Sequence, residues 1–91
     1  MKLKLLLLGD LATKAGRKEL TLELEENGPL TLDNLLSNLS NLLKIEEEAW
    51  NIESSYMVMV NGISIPAEKW KELKLKDEDL VVIAPLYIGG G

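Results

Sequence analysis

The two most continuously apolar stretches of this chain lie at its opposite ends. Residues 2–8 alternate Lys and Leu and then become purely apolar, and residues 80–84 read LVVIA. A segment that is apolar on both faces is typical of a strand in the middle of a sheet. A chain of 91 residues has room for only one core. The two ends are therefore predicted to be parallel neighbours at the centre of a single sheet.

The first of these strands leads into a predicted loop and then a second strand. Residues 9–17, GDLATKAGR, contain two glycines and favour a loop. In residues 19–25, leucines at every second position alternate with Glu and Thr, which is the pattern of a half-buried strand. We expect this strand to pair antiparallel with the first.

Leucine spacing in the middle of the chain predicts one amphipathic helix. Thr31 can cap its first turn, and Asp33 complements the positive end of the helix. The leucines recur every three or four residues and so share one helical face. They are Leu32, Leu35, Leu36, Leu39, Leu42 and Leu43. Asn and Ser on the other face form helices poorly, so this helix is expected to depend on packing against the sheet.

A hairpin and a final strand complete the predicted order of elements. Asn61-Gly62 separates two short strands, YMVMV and ISI, and this dipeptide readily adopts the positive φ angles of a tight hairpin. Residues 67–79 are predicted to form a loop with a short helical turn. The order is strand, strand, helix and three strands. With the helix across one face, this is an α+β fold with a mixed five-stranded sheet, the β-grasp or ubiquitin-like arrangement.

One domain is expected over residues 1–85, followed by a flexible tail over residues 86–91 whose glycines carry a high entropy cost of ordering. The net charge is −5, which disfavours direct nucleic-acid binding. The absence of Cys and His excludes thiol nucleophiles and the usual zinc sites. The apolar core of MKLKLLLLGDLA is shorter than that of a signal peptide, which predicts a cytoplasmic protein without membrane attachment.

The carboxyl-terminal glycines are the main candidates for chemistry. Gly89, Gly90 and Gly91 follow the last core strand, and a chain without Cβ atoms can thread through a narrow channel of a partner enzyme. There the Gly91 carboxylate could attack the α-phosphate of ATP and become an acyl adenylate. The alternative is that terminal glycines are flexible padding, because a glycine cluster alone is a weak motif.

The order of several motifs resembles the MoaD/ThiS family of ubiquitin-like sulfur carriers. The opening LLLGDLATKAGRKELTLEL is similar to that family's first strand, loop and alternating strand. TLDNLLSNL is similar to its helix start, VNGISI to its hairpin, and LKDEDLVVIAPLYIGGG to its closing run. The resemblance covers nearly the whole chain.

The resemblance implies a carrier and co-substrate that is not itself an enzyme. Gly91 would be adenylated by an enzyme related to ubiquitin-activating enzymes and converted to a thiocarboxylate that donates sulfur. No tightly bound cofactor or metal is implied, and the activating enzyme would use ATP. Gly90 would be the threading residue beside it, unless the matching pair is Gly89 and Gly90 and Gly91 must first be trimmed.

The AGR loop and Pro85 favour the MoaD branch, the small subunit of molybdopterin synthase. In that branch the tail inserts into a large catalytic subunit and supplies sulfur for molybdenum cofactor biosynthesis. One alternative keeps the fold and tail in a protein modifier or tRNA-thiolation carrier, like the small archaeal modifiers or the ubiquitin-related modifier. The other is a non-reactive interaction module of the same fold.

Partner contacts are predicted around the tail and on one sheet face. Leu86, Tyr87 and Ile88 can anchor in partner pockets, or Tyr87 and Ile88 can cap the sheet. Met57 and Met59 lie on one strand face and suit either an adaptable binding surface or a core. One helix covers only one face of the sheet, so an apolar patch is expected on the other, unless the segments containing Trp50 and Trp70 cover it.

Two acidic runs, residues 46–48 and 77–79, could in principle hold a hard cation. Adjacent carboxylates point in different directions, and the spacing of a calcium loop is absent. We interpret both runs as solvated turns.

Overall fold

The computed structural model describes residues 1–24, 30–43 and 56–86. Its strands are β1 (Lys2–Leu7), β2 (Glu19–Glu23), β3 (Tyr56–Val60), β4 (Ile63–Ser64) and β5 (Leu80–Pro85). Its helices are α1 (Asp10–Ala15) and α2 (Leu32–Leu43), and a 3-10 turn spans Ala67–Lys69. Within these ranges, no helix combines the length and the apolar character needed to cross a membrane.

The strands form one sheet in the order β2-β1-β5-β3-β4. β1 and β5 are parallel, with Leu5 opposite Val81 and Leu7 opposite Ile83. The pairs β1–β2, β3–β5 and β3–β4 are antiparallel. The two ends of the chain therefore meet as parallel neighbours with β5 in the centre, which confirms the predicted β-grasp fold.

The core lies between the sheet and α2. From the sheet come Leu3, Leu5, Leu7, Tyr56, Val58, Val60, Val81 and Ile83, and from α2 come Leu32, Leu35, Leu36 and Leu39. The predicted leucine face of α2 is confirmed at these four positions, whereas the side chains of Leu42 and Leu43 lie outside the described part. The alternation along the strands thus directs one side chain in two into this core.

Trp70 belongs to this same core, which corrects the alternative that it covers the opposite face of the sheet. The residue is 5% exposed and its indole N–H donates to the backbone oxygen of Ile65 at 2.9 Å. A buried indole needs such an acceptor, and the loop after β4 supplies it. Trp50 and residues 46–48 lie outside the described residues.

The start of α2 has the predicted cap. The Asn34 N–H donates to Thr31 Oγ1 at 3.2 Å, and the Thr31 hydroxyl donates to Asn34 Oδ1 at 2.6 Å. The free N–H groups of Leu32 and Asp33 donate to the backbone oxygens of Leu73 and Trp70. Residues of the loop before β5 therefore complete the capping of this helix end.

Residues 10–15 correct the prediction of a loop after β1, because they form the short helix α1. Leu11 is only 1% exposed and joins the core. Gly16 ends the helix in the left-handed conformation, and its N–H donates to the oxygens of Ala12 and Thr13. Six residues are too few to show helical periodicity in the sequence, whereas the glycines at both ends of this segment are typical of a loop.

The predicted hairpin at Asn61-Gly62 is confirmed, with φ angles of 51° and 85°. The Asn61 side chain also links this turn to the acidic run that precedes β5. Its amide donates to Asp79 Oδ1 at 2.8 Å, and its carbonyl accepts the Leu80 N–H at 2.9 Å. Asp77 accepts the backbone N–H of Lys2 at 2.6 Å. Asp77 thus accepts from the backbone of β1 and Asp79 from the side chain of the β3–β4 turn, so the acidic run before β5 is tied to both.

Candidate functional site

The candidate site begins where the central strand β5 ends at Pro85. Leu86 follows and is 51% exposed. Tyr87, Ile88, Gly89, Gly90 and Gly91 lie outside the described residues, so their predicted roles, and the boundary between domain and tail, stay predictions. The structure does describe the sheet end from which this segment leaves and the surface beside it.

Gly9 lies directly against Pro85. The Leu8 N–H donates to the Ile83 oxygen at 2.9 Å, which extends the β1–β5 pairing towards Gly9. A Cβ on Gly9 would lie 2.5 Å from Pro85 Cγ and 3.0 Å from Pro85 Cδ, and Gly9 also has a φ of +66°. Only glycine both lacks a Cβ that would clash with Pro85 and readily adopts this positive φ.

Tyr56 supports Pro85 from the neighbouring strand. It is the register partner of Pro85, is 5% exposed, and directs its hydroxyl to the Asp10 carboxylate at 3.3 and 3.4 Å. Burial raises the pKa of the Tyr56 phenol, and the negative charge of Asp10 raises it further, while Lys14 lowers it. The phenol therefore stays protonated at neutral pH and can donate to Asp10, which links β3 to the start of α1.

Asp10 is also bonded to Lys14 along α1. The Lys14 Nζ lies 3.4 Å from Asp10 Oδ2, and both side chains are largely exposed. An exposed pair at this spacing adds little stability. Its relevance to the site is that it holds the carboxylate beside the Tyr56 hydroxyl.

The face of the sheet opposite α2 carries an apolar surface, which we call the open-face patch and define as Leu6, Met57, Met59, Val82 and Ala84. Val82 stands between Leu6 on one side and Met59 on the other, and Met57 is the register partner of Ala84. Val82 is 8% and Ala84 7% exposed. The predicted separation of the two methionines from Tyr56, Val58 and Val60 is confirmed.

The other described elements pack against the opposite side of the sheet. Leu11 of α1, the leucines of α2, and Trp70 and Leu75 of the loop before β5 all join the same core cluster. An apolar surface of this kind can serve as a binding site for another macromolecule. Towards β2 the patch continues into an open depression of about 540 Å³, where Lys4, Glu19 and Thr21 add polar groups.

This depression does not have the form of an enclosed active site. It is open to solvent, and its charged groups are single residues on neighbouring strands. In the described ranges, no three His, Cys, Asp or Glu side chains are grouped so that they could hold a metal ion. The depression lies near the start of β5, at Leu80, whereas the open-face patch extends along β5 as far as Ala84.

Comparison with protein families matches residues 5–90 to the ThiS family. The chain belongs to the ThiS family. The match covers most of the chain, from β1 into the predicted glycine tail, and confirms the resemblance deduced from the motifs. No curated protein matches the chain.

Solved structures of similar proteins support the ThiS-family fold. The crystal structure of small archaeal modifier protein 1 from Haloferax volcanii has a TM-score of 0.73 at 18% identity, covering 99% of this chain and 100% of that one. A putative molybdopterin converting factor, subunit 1, from Pyrococcus furiosus has a TM-score of 0.68 at 24% identity, covering 93% and 97%. Small archaeal modifier protein 1 from Methanosarcina acetivorans has a TM-score of 0.69 at 26% identity, covering 98% and 96%.

The sequence analysis did not predict two features of this site. They are the Gly9–Pro85 contact and the Tyr56–Asp10 hydrogen bond. The first had a signal. If β1 and β5 are parallel with Leu7 opposite Ile83, then continuing this register by two residues brings Gly9 opposite Pro85. The second had none, because it depends on a helix that the sequence did not predict.

Proposed function

We propose that this ThiS-family protein is a sulfur carrier whose Gly91 carboxylate is activated by a partner enzyme. The observation that carries the proposal is the family match over residues 5–90, which runs into the glycine segment. A compact body with an apolar open face beside the end of β5 is consistent with a protein that presents its chain end to another protein.

The proposed chemistry takes place at the chain end in two steps. A Gly91 carboxylate oxygen attacks the α-phosphorus of ATP, the bond to the β-phosphate breaks, and pyrophosphate leaves. Hydrosulfide or an equivalent sulfur nucleophile then attacks the acyl carbon, and AMP leaves with the carbon–oxygen bond electrons. The product is a thiocarboxylate, and the proton of the hydrosulfide passes to solvent.

The residues of this chain have to position the reacting group and do not have to supply acid or base catalysis. Gly89 and Gly90 carry no side chain that would block a narrow channel. The open-face patch provides apolar area for docking the adenylating enzyme, and the net charge of −5 favours approach to a basic surface. ATP and its metal would be bound by that enzyme.

Molybdopterin synthesis is the pathway we propose first for the sulfur. The AGR sequence at residues 15–17 and Pro85 at the end of the last strand resemble the MoaD branch and support this choice. In this proposal, a large molybdopterin synthase subunit receives the tail and binds the open-face patch. Leu86, Tyr87 and Ile88 would contact that partner next to the glycines.

The test is intact-mass spectrometry after incubation with the adenylating enzyme, ATP and a sulfide source. We expect a mass gain equal to one oxygen-to-sulfur exchange, located on the carboxyl-terminal peptide. Deletion of Gly90 and Gly91 should abolish the gain and leave the unfolding midpoint unchanged. A semisynthetic chain with an amidated Gly91 is the matched control, because it keeps every residue but removes the reactive carboxylate.

Some results would contradict the sulfur-carrier proposal. An unchanged mass for the full chain would count against activation, and sulfur transfer by the amidated chain would exclude a role for the carboxylate. If the truncated chain still transfers sulfur, the tail has no role in the transfer. If the full chain transfers no sulfur and truncation leaves every partner's dissociation constant unchanged, the protein is a non-reactive interaction module.

A protein modifier or tRNA-thiolation carrier is the second candidate. The likeness to the Methanosarcina acetivorans small archaeal modifier protein 1, at 26% identity over nearly the whole chain, favours the modifier role. In that case, proteomics of cells expressing the tagged chain should find isopeptide bonds from Gly91 to lysines of other proteins. Loss of thiolated tRNA on gene deletion, with molybdenum enzymes still active, would favour the tRNA role instead.

A further inference from the structure

We infer that Gly9 is a positioning residue for the carrier tail, because it lets β1 approach Pro85 closely enough to set the direction in which the chain leaves the sheet. The inference rests on the proposed carrier function, since a direction matters only if a partner must receive the chain end. Gly9 touches neither ATP nor the reacting carboxylate in this proposal and acts through Pro85.

A side chain at residue 9 would meet the ring atoms of Pro85 that are bonded furthest from its Cα. Cγ and Cδ would lie at 2.5 and 3.0 Å from a Cβ on Gly9, whereas Pro85 Cβ would lie at an ordinary 3.9 Å. Cγ and Cδ belong to a ring that is closed on the backbone nitrogen, so they cannot rotate away as the end of a flexible side chain can. A side chain at residue 9 would therefore push on the backbone of Pro85 itself.

Pro85 is held on its other side as well. Tyr56 faces it in the antiparallel register of β3 and β5, and the Tyr56 hydroxyl bonds to Asp10, the residue after Gly9. Gly9 and Tyr56 thus bracket the last residue of β5, and α1 connects the two supports. The proline ring restricts φ of Pro85 itself, so few backbone torsions are free at the point where the tail begins.

A small change in the direction of the chain at Pro85 becomes a large displacement at the chain end, because the tail is long. When a partner's channel holds residues 86–91 fully extended, they span at most roughly 20 Å, and a tilt of about 6° at their base then moves the terminus by about 2 Å. Displacements of about 1 Å can lower the rate of a positioned reaction by about a hundredfold. Docking through the open-face patch leaves the body unable to turn and compensate.

The test compares three glycine-to-alanine variants that share a positive φ. Gly9→Ala brings the Cβ against Pro85, whereas Gly16→Ala and Gly62→Ala, at φ of +76° and +85°, place a Cβ where no atom lies within 4 Å. All three variants pay for the left-handed backbone, so loss of stability is common to them. Only Gly9→Ala should disturb the base of the tail.

The measurement is ATP–pyrophosphate exchange by the adenylating enzyme, with the carrier as the varied substrate. We expect Gly9→Ala to lower kcat by about tenfold or more, with KM for the carrier changed by less than about twofold. The two controls should keep the wild-type kcat at a temperature where all variants are folded. Equal kcat for wild type and Gly9→Ala, or an equal loss in all three variants, would overturn the inference.

A double variant checks the mechanism. Pro85→Ala removes Cγ and Cδ, so Gly9→Ala/Pro85→Ala should have a higher kcat than Gly9→Ala, with Pro85→Ala alone as the reference. A double variant no better than Gly9→Ala would exclude the ring contact as the cause. If Gly9→Ala does not fold, recovery of folding in the double variant supports the clash, and continued failure contradicts it.

A second readout needs no enzyme and so separates this inference from the proposed function. In NMR spectra of the free protein, Gly9 Hα should show nuclear Overhauser effects to the Pro85 ring protons, and Gly9→Ala should shift the Leu86 amide while Gly62→Ala does not. Absent contacts or an unmoved Leu86 amide would overturn the positioning role. Failure of the wild type in pyrophosphate exchange would instead count against the carrier function.

Discussion

The two faces of this sheet contain similar residues but differ in how deeply those residues are buried. Leu5 and Leu6 are neighbours on β1, yet Leu5 is 2% exposed in the core under α2, and Leu6 is half-buried on the open-face patch. The difference arises from strand alternation, because α2 covers only one side. Apolar residues on the covered face stabilise the fold, whereas none of the described helices packs on those of the open face.

The two faces also differ in how they are bordered. The covered face meets the leucines of α2, and the loop before β5 closes it with Trp70 and Leu75. On the open face, Met57 lies opposite Ala84 and Met59 opposite Val82, with Lys4 and Glu19 towards β2. Methionines adapt to a partner's shape, and the charges can orient it. This contrast leads to the following predictions, from the largest effect to the smallest.

The largest expected loss of stability is for Leu5→Ala on the covered face. Removing a buried leucine side chain leaves a cavity in the core, and the free energy of unfolding should fall by about 3 kcal/mol. Urea denaturation followed by circular dichroism measures this. A loss below about 1 kcal/mol would mean that α2 does not seal this face.

Leu6→Ala provides the matched variant on the open face. The free energy of unfolding should fall by only about 1 kcal/mol, because the side chain is already half exposed. Binding to the adenylating enzyme should weaken by about fivefold to tenfold, measured by calorimetry. Equal destabilisation by the Leu5 and Leu6 variants, or unchanged binding, would remove the functional distinction between the faces.

Thr31→Ala tests how far the covered face depends on the start of α2. Loss of the Thr31 side-chain acceptor for the Asn34 N–H should reduce the free energy of unfolding by about 1 kcal/mol. Ser37→Ala, on the exposed side of the same helix, is the control and should be neutral or slightly stabilising. Urea denaturation of both variants under the same conditions distinguishes loss of the cap from a general effect of alanine.

The smallest effect concerns Tyr56 at alkaline pH. Its pKa in the folded protein is raised above the ordinary value of 10.0, so the unfolded chain loses the phenolic proton first. The free energy of unfolding should therefore be unaffected by this group below about pH 10 and should decrease as the pH rises from there towards the folded-state pKa.

Tyr56→Phe should remove this part of the pH dependence, and Tyr87→Phe, which replaces the other tyrosine of the chain, is the control. Chemical denaturation at pH 8 to 11, a range that includes the ordinary pKa of 10.0, together with absorbance titration of the phenol, provides the measurement. The same slope for wild type and Tyr56→Phe would contradict the raised pKa.

Much of the fold could be predicted because its signals are local or follow from burial. The leucine spacing of α2, its Thr31 cap and the Asn61-Gly62 turn are preferences of short segments. The parallel pairing of β1 with β5 follows because two wholly apolar strands are best buried at the centre of one small sheet. Alternation along β3 separates Met57 and Met59 from its other three residues, but only the structure shows that the methionines are the set that faces away from the core. The role of the carboxyl-terminal glycines as the reactive segment is a prediction from their composition and from the family resemblance.

The sequence by itself therefore determined the order of the five strands and of α2, the central parallel pair and the apolar character of both sheet faces. Only the tertiary structure decided that residues 10–15 form a helix, that Trp70 lies in the main core, and that Gly9 and Tyr56 bracket Pro85. The helix α1 is too short for its own hydrogen bonds to stabilise it and depends on burying Leu11. The contacts at Pro85 join residues far apart in the chain, so they exist only once the register of β1, β5 and β3 is formed.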